Sequence, residues 1–188
     1  WDKPNFIGSE AYGKTLGFIG FGRIAKLVAV RARAFGMQTI AYDPHVFRDE
    51  MSEHNTEKMT LEDLCRQSDI ITIHAPKTPE TVSLLDKKCF DSMKKGVILI
   101  NTARAEIINK EALIEALENE KVARVALDVF VNEPYDIEWD LVKDDRIIPT
   151  PHIGGSTTEA MRRISLSTAE SIINFLQHGN DVNLINKF

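Results

Sequence analysis

The chain has 188 residues, of which 43% are apolar, and it carries 23 lysines and arginines against 28 aspartates and glutamates. This length and apolar share predict one domain of ordinary size with a buried core, and they exclude a disordered chain. The formal charge of −5 offers no electrostatic surface for nucleic acid or an anionic membrane, and the sequence has no apolar run of about 18 residues that would span a bilayer.

Six β-rich runs alternate with helical patterns along the chain. This alternation is typical of βαβ units, so the sequence predicts the α/β class: a doubly wound parallel sheet between two helical layers, a three-layer αβα arrangement of the Rossmann type. Such sheets bind ligands at the carboxyl ends of their strands. In chain order we predict strand 14–19, helix 23–35, strand 38–42, helix 60–67, strand 70–73, helix 86–93, strand 96–100, helix 110–120, strand 123–127, strand 146–148 and helix 157–177.

Capping residues and apolar spacing define the ends and faces of the predicted helices. Thr60 with Asp63, and Asn109, are typical of helix starts, whereas Gly36 and Gly179 are typical of helix ends. Apolar residues three and four positions apart are expected to face the core. They are Ile24, Leu27, Val28 and Ala32 in the first helix, and Ala112, Leu113, Ala116 and Leu117 in the helix after Asn109.

The run GFGRIA at 20–25 follows the first predicted strand and opens a helix. It has the G-x-G-x-x-G/A form of a dinucleotide-binding loop, in which Gly20 permits the tight turn, Gly22 admits the pyrophosphate and Ala25 lets the helix pack closely. Asp43 ends the second strand at about the spacing of the acid that binds the adenosine ribose. A carboxylate there repels a 2′-phosphate, so NAD is favoured over NADP. Two alternatives to this interpretation are that Asp43 only forms a turn and binds no cofactor, and that the nearby Arg48 shifts the cofactor preference toward NADP.

Other predicted strands end in polar residues, and these ends supply Arg104, Glu133 and His152. Because the carboxyl ends of parallel strands share one edge of a sheet, we expect the three side chains to meet. Oxidation of a 2-hydroxy acid needs a cation for the carboxylate, a base for the hydroxyl proton and a carboxylate that orients the base. The three residue types meet these needs as Arg104, His152 and Glu133 respectively.

Each of these residues also has a purely structural interpretation. Arg104 can form a surface ion pair with Glu106 or Asp128, Glu133 can be a solvated charge, and His152 can bond the backbone of a turn. Their joint placement at strand ends favours a catalytic role. The spacing of His, Cys, Asp and Glu residues predicts no metal site.

The two cysteines, Cys65 and Cys89, lie in amphipathic helical patterns and do not form a CxxC pair. Two such residues cannot build a disulfide framework, so free buried thiols in a reducing compartment are predicted. The first residues do not match a secretory signal. We therefore expect a cytoplasmic protein.

Four ordered motifs resemble the D-isomer-specific 2-hydroxyacid dehydrogenase family, over about residues 12–179. They are GFIGFGRI at 17–24, NTAR at 101–104, DVF at 128–130 with Glu133-Pro134, and TPHIGGST at 150–157. The resemblance implies an NAD-dependent oxidoreductase that interconverts a D-2-hydroxy acid and its 2-keto acid. It also implies that residues 1–188 are the NAD-binding domain, that 1–13 are the remnant of an interdomain segment, and that most of the substrate domain is absent.

The resemblance also implies roles for single residues. Arg104 binds substrate, and Glu133 with His152 forms the acid/base pair. The resemblance also places Gly20, Gly22 and Arg104 beside the cofactor. The other cofactor-binding positions that it implies are Arg23 and Ile24 at the pyrophosphate, Asp43 at the ribose, Ala75 and Pro76 at the adenosine, Thr102, Ala103 and Asp128 at the nicotinamide ribose and carboxamide, and His152, Ile153, Gly154 and Gly155 over the nicotinamide.

The tetrapeptide at 154–157 is most similar to that of family members that oxidise D-3-phosphoglycerate to 3-phosphohydroxypyruvate in serine biosynthesis. Glyoxylate or hydroxypyruvate, and D-lactate, are alternative substrates, and an NAD(H)-sensing transcriptional corepressor is the alternative of another class. The family resemblance favours a homodimer. One departure is Ala105, where the family usually has Gly, and it is expected to shift the backbone near Arg104 if that position needs a positive φ.

Overall fold

The computed structural model describes residues 7–134 and 140–184, with the backbone alone for residues 140 and 141. Residues 1–6 of the predicted interdomain segment therefore lie outside the described residues. The chain divides into two compact units, which comprise residues 1–151 and 152–188. The first unit contains the whole sheet, and the second contains one long helix.

The first unit is built from alternating strands and helices. The strands are β1 Thr15–Ile19, β2 Gln38–Tyr42, β3 Glu57–Lys58, β4 Ile70–Ile73, β5 Val97–Asn101, β6 Val122–Leu127 and β7 Ile147–Pro149. The α-helices are α1 Arg23–Ala34, α2 Arg48–Glu53, α3 Leu61–Gln67, α4 Lys87–Ser92 and α5 Lys110–Glu118, and short 3-10 helices cover Ala105–Ile107 and Asp140–Lys143.

All seven strands are parallel and follow the order β3-β2-β1-β4-β5-β6-β7. The order runs outward in both directions from β1, which confirms the predicted doubly wound sheet. The direction of winding reverses between β1 and β4, and at that point a crevice opens beyond the carboxyl ends of the strands. The fingerprint loop leaves β1 directly beside this crevice.

The predicted elements all form, with ends within one or two residues of the prediction, but the sequence analysis missed β3 and α2. β3 has only two residues, Glu57 and Lys58, and both are charged. α2 has the sequence RDEMSE and buries Met51 alone. Neither segment is long or apolar enough to produce a periodic pattern.

The buried face predicted for α1 is wrong in part. Ala25, Ala29 and Ala32 are the buried residues of this helix, whereas Ile24 is 66% exposed and Leu27 is 59% exposed. Small side chains on the inner face let the helix axis approach the sheet closely, so shape rather than apolar content selects this face. In α5 the predicted stripe is buried as expected, at Ala112, Leu113, Ala116 and Leu117.

The second unit contains the helix α6, Thr158–His178. The Thr157 hydroxyl accepts a hydrogen bond from the Ala160 N–H at 3.0 Å, and Gly179 ends the helix with a φ of +67°. Among the described residues, no helix is long and apolar enough to cross a membrane.

Candidate functional site

Gly20 forms the turn between β1 and α1 with a φ of +85°. A Cβ atom at this position would lie 2.7 Å from the Ala75 nitrogen and 2.8 Å from the His74 carbonyl carbon, which is closer than real Cβ atoms approach backbone. The Gly20 N–H donates to the Tyr42 carbonyl at 2.8 Å. Glycine at position 20 therefore lets the ends of β1, β2 and β4 meet beside the crevice.

Gly22 is the N-cap of α1 and has an extended backbone. No described atom lies within 4 Å of the place where its Cβ would stand, and Arg23 and Ile24 are exposed in the following turn. The N–H groups in the first turn of a helix have no intrahelical acceptor, so they bind phosphate well. Donors and open space are thus present where the sequence predicts the pyrophosphate.

Asp43 stands at the end of β2 and holds the fingerprint loop. One of its carboxylate oxygens accepts a hydrogen bond from the Phe21 N–H and the other accepts one from the His45 N–H, both at 2.8 Å. A carboxylate has about four lone-pair sites, so Asp43 retains the capacity to accept hydrogen bonds from ribose hydroxyls. The loop fixes this side chain before any cofactor binds.

Asn101 fixes the loop that carries Arg104. Its side chain is fully buried at the end of β5, where its amide nitrogen donates to the Arg104 carbonyl at 2.9 Å and its oxygen accepts from the Ala103 N–H at 3.0 Å. The guanidinium of Arg104 is exposed and donates to the Ala103 carbonyl at 2.6 Å. Arg104 therefore presents a solvent-accessible cation on a loop whose backbone is held from within the sheet.

Glu106 is one of the two acids considered above as a surface ion-pair partner of Arg104. Glu106 pairs with Lys77 at 2.6 Å, and that ammonium is the main reason why the pKa of the Glu106 carboxyl lies below its usual value, with a smaller effect from Arg104.

Ala105 opens a 3-10 helix and is not among the non-glycine residues with positive φ. Alanine therefore fits at position 105 without backbone strain.

Asp128 ties the ends of three neighbouring strands together. Its N–H donates to the Asn101 carbonyl at 3.0 Å, and its carboxylate accepts from the Thr150 hydroxyl at 2.6 Å. Only 6% of Asp128 is exposed. A buried carboxylate with these partners gives the carboxyl edge of β5, β6 and β7 a fixed shape, next to the exposed Thr102.

Glu133 and His152 belong to different units. Glu133 follows β6 in the first unit, is exposed and accepts a hydrogen bond from the Phe130 N–H at 3.0 Å. His152 begins the second unit, is exposed and has a φ of +53°. Ile153, Gly154 and Gly155 follow it and are also exposed. The pairing of Glu133 with His152, and the closure of 152–155 over the nicotinamide, remain predictions.

His74 directly follows β4, at the carboxyl end of that strand. Its ring stacks on Phe18 with 5.8 Å between centroids and makes a 3.0 Å hydrogen bond with the Thr72 hydroxyl through Nε2. Burial lowers the pKa of His74 from 6.5 to about 4. This histidine is thus neutral near pH 7 and packs against Phe18 at the carboxyl end of β4.

We expect this histidine to make the fold sensitive to mild acid. Its pKa in the folded chain is lower than in the unfolded chain, so the unfolded state binds the proton more readily, and stability is lost as the pH falls from about 6.5 to about 4. The loss from this residue is at most about 3 kcal/mol. Urea unfolding at pH 7 and pH 4.5 should show a smaller pH dependence in His74→Gln than in the exposed control His45→Gln. Equal pH dependence in both variants would exclude His74 as the source.

Sequence reasoning missed two features of the site. One is Asn101 as the anchor of the Arg104 loop, and the other is the bond from Phe21 to Asp43. A polar residue placed directly after the apolar run 97–100 was the available signal for Asn101, because a strand end that is fully buried needs side-chain partners for its loop. The bond between Phe21 and Asp43 joins two loops and has no sequence signal.

Comparison with known proteins agrees with this geometry. The family model of the D-isomer specific 2-hydroxyacid dehydrogenase, NAD binding domain, matches residues 1–154. The D-3-phosphoglycerate dehydrogenase of Bacillus subtilis is 45% identical over 175 residues, which are 93% of this chain and 33% of the relative. The chain thus spans about a third of the length of the curated relatives that it matches.

Two solved structures have the same fold. The glyoxylate reductase from Paecilomyes thermophila superposes with a TM-score of 0.88 at 34% identity, over 95% of this chain and 54% of that one. The D-lactate dehydrogenase from Escherichia coli superposes with a TM-score of 0.81 at 36% identity, over 94% of this chain and 54% of that one. Motifs, strand order and matched residues agree, and the chain belongs to the D-isomer specific 2-hydroxyacid dehydrogenase family as an NAD binding domain.

Proposed function

We propose that this chain is the cofactor-binding part of an NAD-dependent dehydrogenase that interconverts a D-2-hydroxy acid and its 2-keto acid. The observation that carries the proposal is the pair of prearranged groups at the carboxyl edge of the sheet. Asp43 is held by the fingerprint loop, and Arg104 is presented by a loop that the buried Asn101 holds. A ribose acceptor and a carboxylate-binding cation thus occupy one edge, as a hydride transfer between cofactor and hydroxy acid requires.

In the proposed mechanism each residue has one task. Arg104 binds the substrate carboxylate through paired N–H donors and fixes the orientation of C2. The fingerprint loop and Asp43 would hold NAD, which would supply the acceptor for the hydride of C2. His152 takes the hydroxyl proton as the C=O bond forms, and Glu133 orients the imidazole and stabilises its charge after the transfer. In the reverse direction the protonated His152 returns that proton to the carbonyl oxygen.

D-3-phosphoglycerate is the substrate that we propose, with 3-phosphohydroxypyruvate as product. The proposal is supported by the tetrapeptide at 154–157 and by the name of the Bacillus subtilis relative. Glyoxylate or hydroxypyruvate, and D-lactate, are the alternatives within the family, since structures that superpose on this chain carry two of these activities in their names. A corepressor that senses NAD(H) is the alternative without turnover.

The test uses the full-length gene product, because the chain covers a third of its curated relatives. The protein is saturated with NADH, and absorbance is followed with phosphohydroxypyruvate, hydroxypyruvate, glyoxylate and pyruvate. We expect the highest kcat/KM with phosphohydroxypyruvate. A higher kcat/KM with another keto acid would identify that acid as the substrate instead. NADH binding without turnover of any of the four keto acids would favour the corepressor.

A cytoplasmic homodimer is part of the same proposal. The helix α6 leaves Ile164, Ile172 and Leu176 at least half exposed, and apolar surface of this kind favours association. Light scattering of the full-length protein at several concentrations should give the mass of two subunits. A mass of one subunit throughout would contradict the dimer.

Cofactor choice is expected to depend on the charge of Asp43. The Asp43→Asn variant keeps an oxygen acceptor but loses the negative charge that repels a 2′-phosphate. Calorimetry should show NAD binding weakened about tenfold, the usual worth of a hydrogen bond to a charged group, with a smaller gap between NAD and NADP. The variant Asp49→Asn removes an exposed acid of α2 and serves as the control. Equal affinity of the unchanged protein for both cofactors would contradict the role of Asp43.

A further inference from the structure

An ion pair joins the loop that follows β4 to the loop that carries Arg104. The Lys77 ammonium donates to a carboxylate oxygen of Glu106 at 2.6 Å. Glu106 lies in the 3-10 helix Ala105–Ile107, two residues after Arg104 in the chain. The sequence analysis considered Glu106 as a partner of Arg104, whereas the structure shows it bound to a lysine from a different βα unit.

Hydrogen bonds hold both ends of this ion pair in place. The Thr81 hydroxyl donates to the Pro76 carbonyl at 2.7 Å, so one side chain closes the turn that contains Lys77. The Glu106 carbonyl accepts a hydrogen bond from the Ser83 N–H at 2.8 Å. The ion pair therefore connects two segments whose backbones are already ordered, and only side-chain freedom is lost when it forms.

The carboxylate of this pair is the less exposed member. The Glu106 side chain is 24% exposed, against 51% for Lys77, and a partly buried charge without a partner is costly. If Lys77 were absent, Glu106 would need another cation. Arg104 is within reach, because the Cα atoms of residues two apart are separated by at most about 7.5 Å and both side chains are long.

Arg104 has no acidic partner in the present arrangement. Its guanidinium donates to the Ala103 carbonyl, and within residues 7–134 and 140–184 it forms no ion pair. A carboxylate on the same loop has an effective concentration in the millimolar range. An unpaired Glu106 would therefore compete with a substrate carboxylate for the donors of Arg104.

We propose that Lys77 is a positioning residue for substrate binding, which occupies Glu106 and thereby keeps the guanidinium of Arg104 available for the substrate carboxylate. This inference rests on the role of Arg104 in the proposed function. Lys77 acts through Glu106 and not by contact with substrate. Its effect falls on KM, because an Arg104 that has exchanged Glu106 for the substrate orients C2 as before.

The test measures kcat and KM of the full-length protein at saturating NADH, with the keto acid of highest kcat/KM, expected to be phosphohydroxypyruvate. Lys77→Met should raise KM about threefold with kcat nearly unchanged, because an exposed ion pair between Arg104 and Glu106 would form with an equilibrium constant of about two. Glu106→Gln should have little effect alone, and the double variant Lys77→Met/Glu106→Gln should restore KM. Lys77→Arg should keep KM near the unchanged value.

Salt provides a second readout that a purely structural role of Lys77 would not change. Screening weakens an exposed ion pair, so the KM of Lys77→Met divided by that of the unchanged protein should approach one at about 0.5 M salt. Lys94→Met is the matched control, because it breaks the 2.8 Å ion pair with Asp69 at the amino end of β4, and it should leave KM unaltered. The NADH dissociation constant should be the same in all these variants.

The outcomes separate this inference from the proposed function. An equal rise of KM on Lys77→Met with and without Glu106 would mean that the lysine acts through its own charge, which overturns the inference. An unchanged KM in Lys77→Met beside a raised KM in Arg104→Ala would overturn the inference alone. An unchanged KM in Arg104→Ala would overturn the role of Arg104, and with it both the proposed function and this inference.

Discussion

Replacing His152 with alanine in the full-length protein is expected to lower turnover by about 10²–10⁴-fold, the usual contribution of a positioned acid/base. Without the imidazole, the hydroxyl proton has to leave to water as the hydride is transferred. NADH affinity should change far less than kcat, because the fingerprint loop and Asp43 lie in the other unit of the chain. The measurement is kcat and KM with phosphohydroxypyruvate, beside the NADH dissociation constant.

Two further variants place this result in context. Arg104→Ala should raise KM, because its guanidinium binds the substrate carboxylate, and should also lower kcat, because the same contact orients C2 for hydride transfer. His178→Ala changes the histidine at the end of α6 and should leave turnover near the unchanged value. If His152→Ala retains normal turnover, a different group is the base, and the assignment of His152 is wrong.

Replacing Gly20 with alanine is expected to destabilise the fold strongly. The new Cβ would overlap backbone atoms of His74 and Ala75, and the φ of +85° is unfavourable for any L side chain. Overpacking and backbone strain together should cost about 3 kcal/mol or more in free energy of unfolding. The turn at Gly20 brings the ends of β1, β2 and β4 together beside the predicted cofactor site. NAD binding should therefore be lost together with stability.

Gly22→Ala is the matched comparison for Gly20→Ala. Position 22 has an extended backbone, and no described atom lies near the place of a Cβ. The thermal stability of the Gly22→Ala variant should therefore stay close to that of the unchanged protein. NAD affinity should nevertheless fall, because the added methyl group occupies the approach of the pyrophosphate. Equal losses of stability in both variants would show that the two glycines do not differ in the way their surroundings indicate.

The sequence predicted those strands and helix ends that the local pattern of residues specifies. Strands such as 70–73 are runs of β-branched residues, and caps such as Thr60 and Asn109 carry their own signal, as the bonds from the Asp63 and Ala112 N–H groups confirm. The inner face of α1 was not predictable in this way. Its alanines are selected by the distance between helix and sheet, a property of the assembled layers that apolar spacing does not report.

The same distinction applies to the candidate site, where residue types were predictable from the sequence but contacts that depend on the fold were not. The chemical type of Arg104 and its position after a strand were sufficient to single it out, because parallel strands direct their carboxyl ends to a common edge. The bond between the Phe21 N–H and Asp43 was not foreseeable, since it joins two loops from separate βα units. The contribution of Asn101 likewise required the fold, because its two hydrogen bonds reach around a loop rather than along a helix or a strand.

The ends of the sheet have a consequence for aggregation. β3 at one edge has two residues, both charged, and β7 at the other has three and finishes in Pro149. An exposed edge strand recruits further strands when it is long, flat and rich in unpaired N–H groups. Here the charges of Glu57 and Lys58 discourage pairing at one side, and proline lacks the N–H donor that a ladder needs at the other. Neither edge therefore offers a template from which cross-β growth can start, even though the strands between them are strongly apolar.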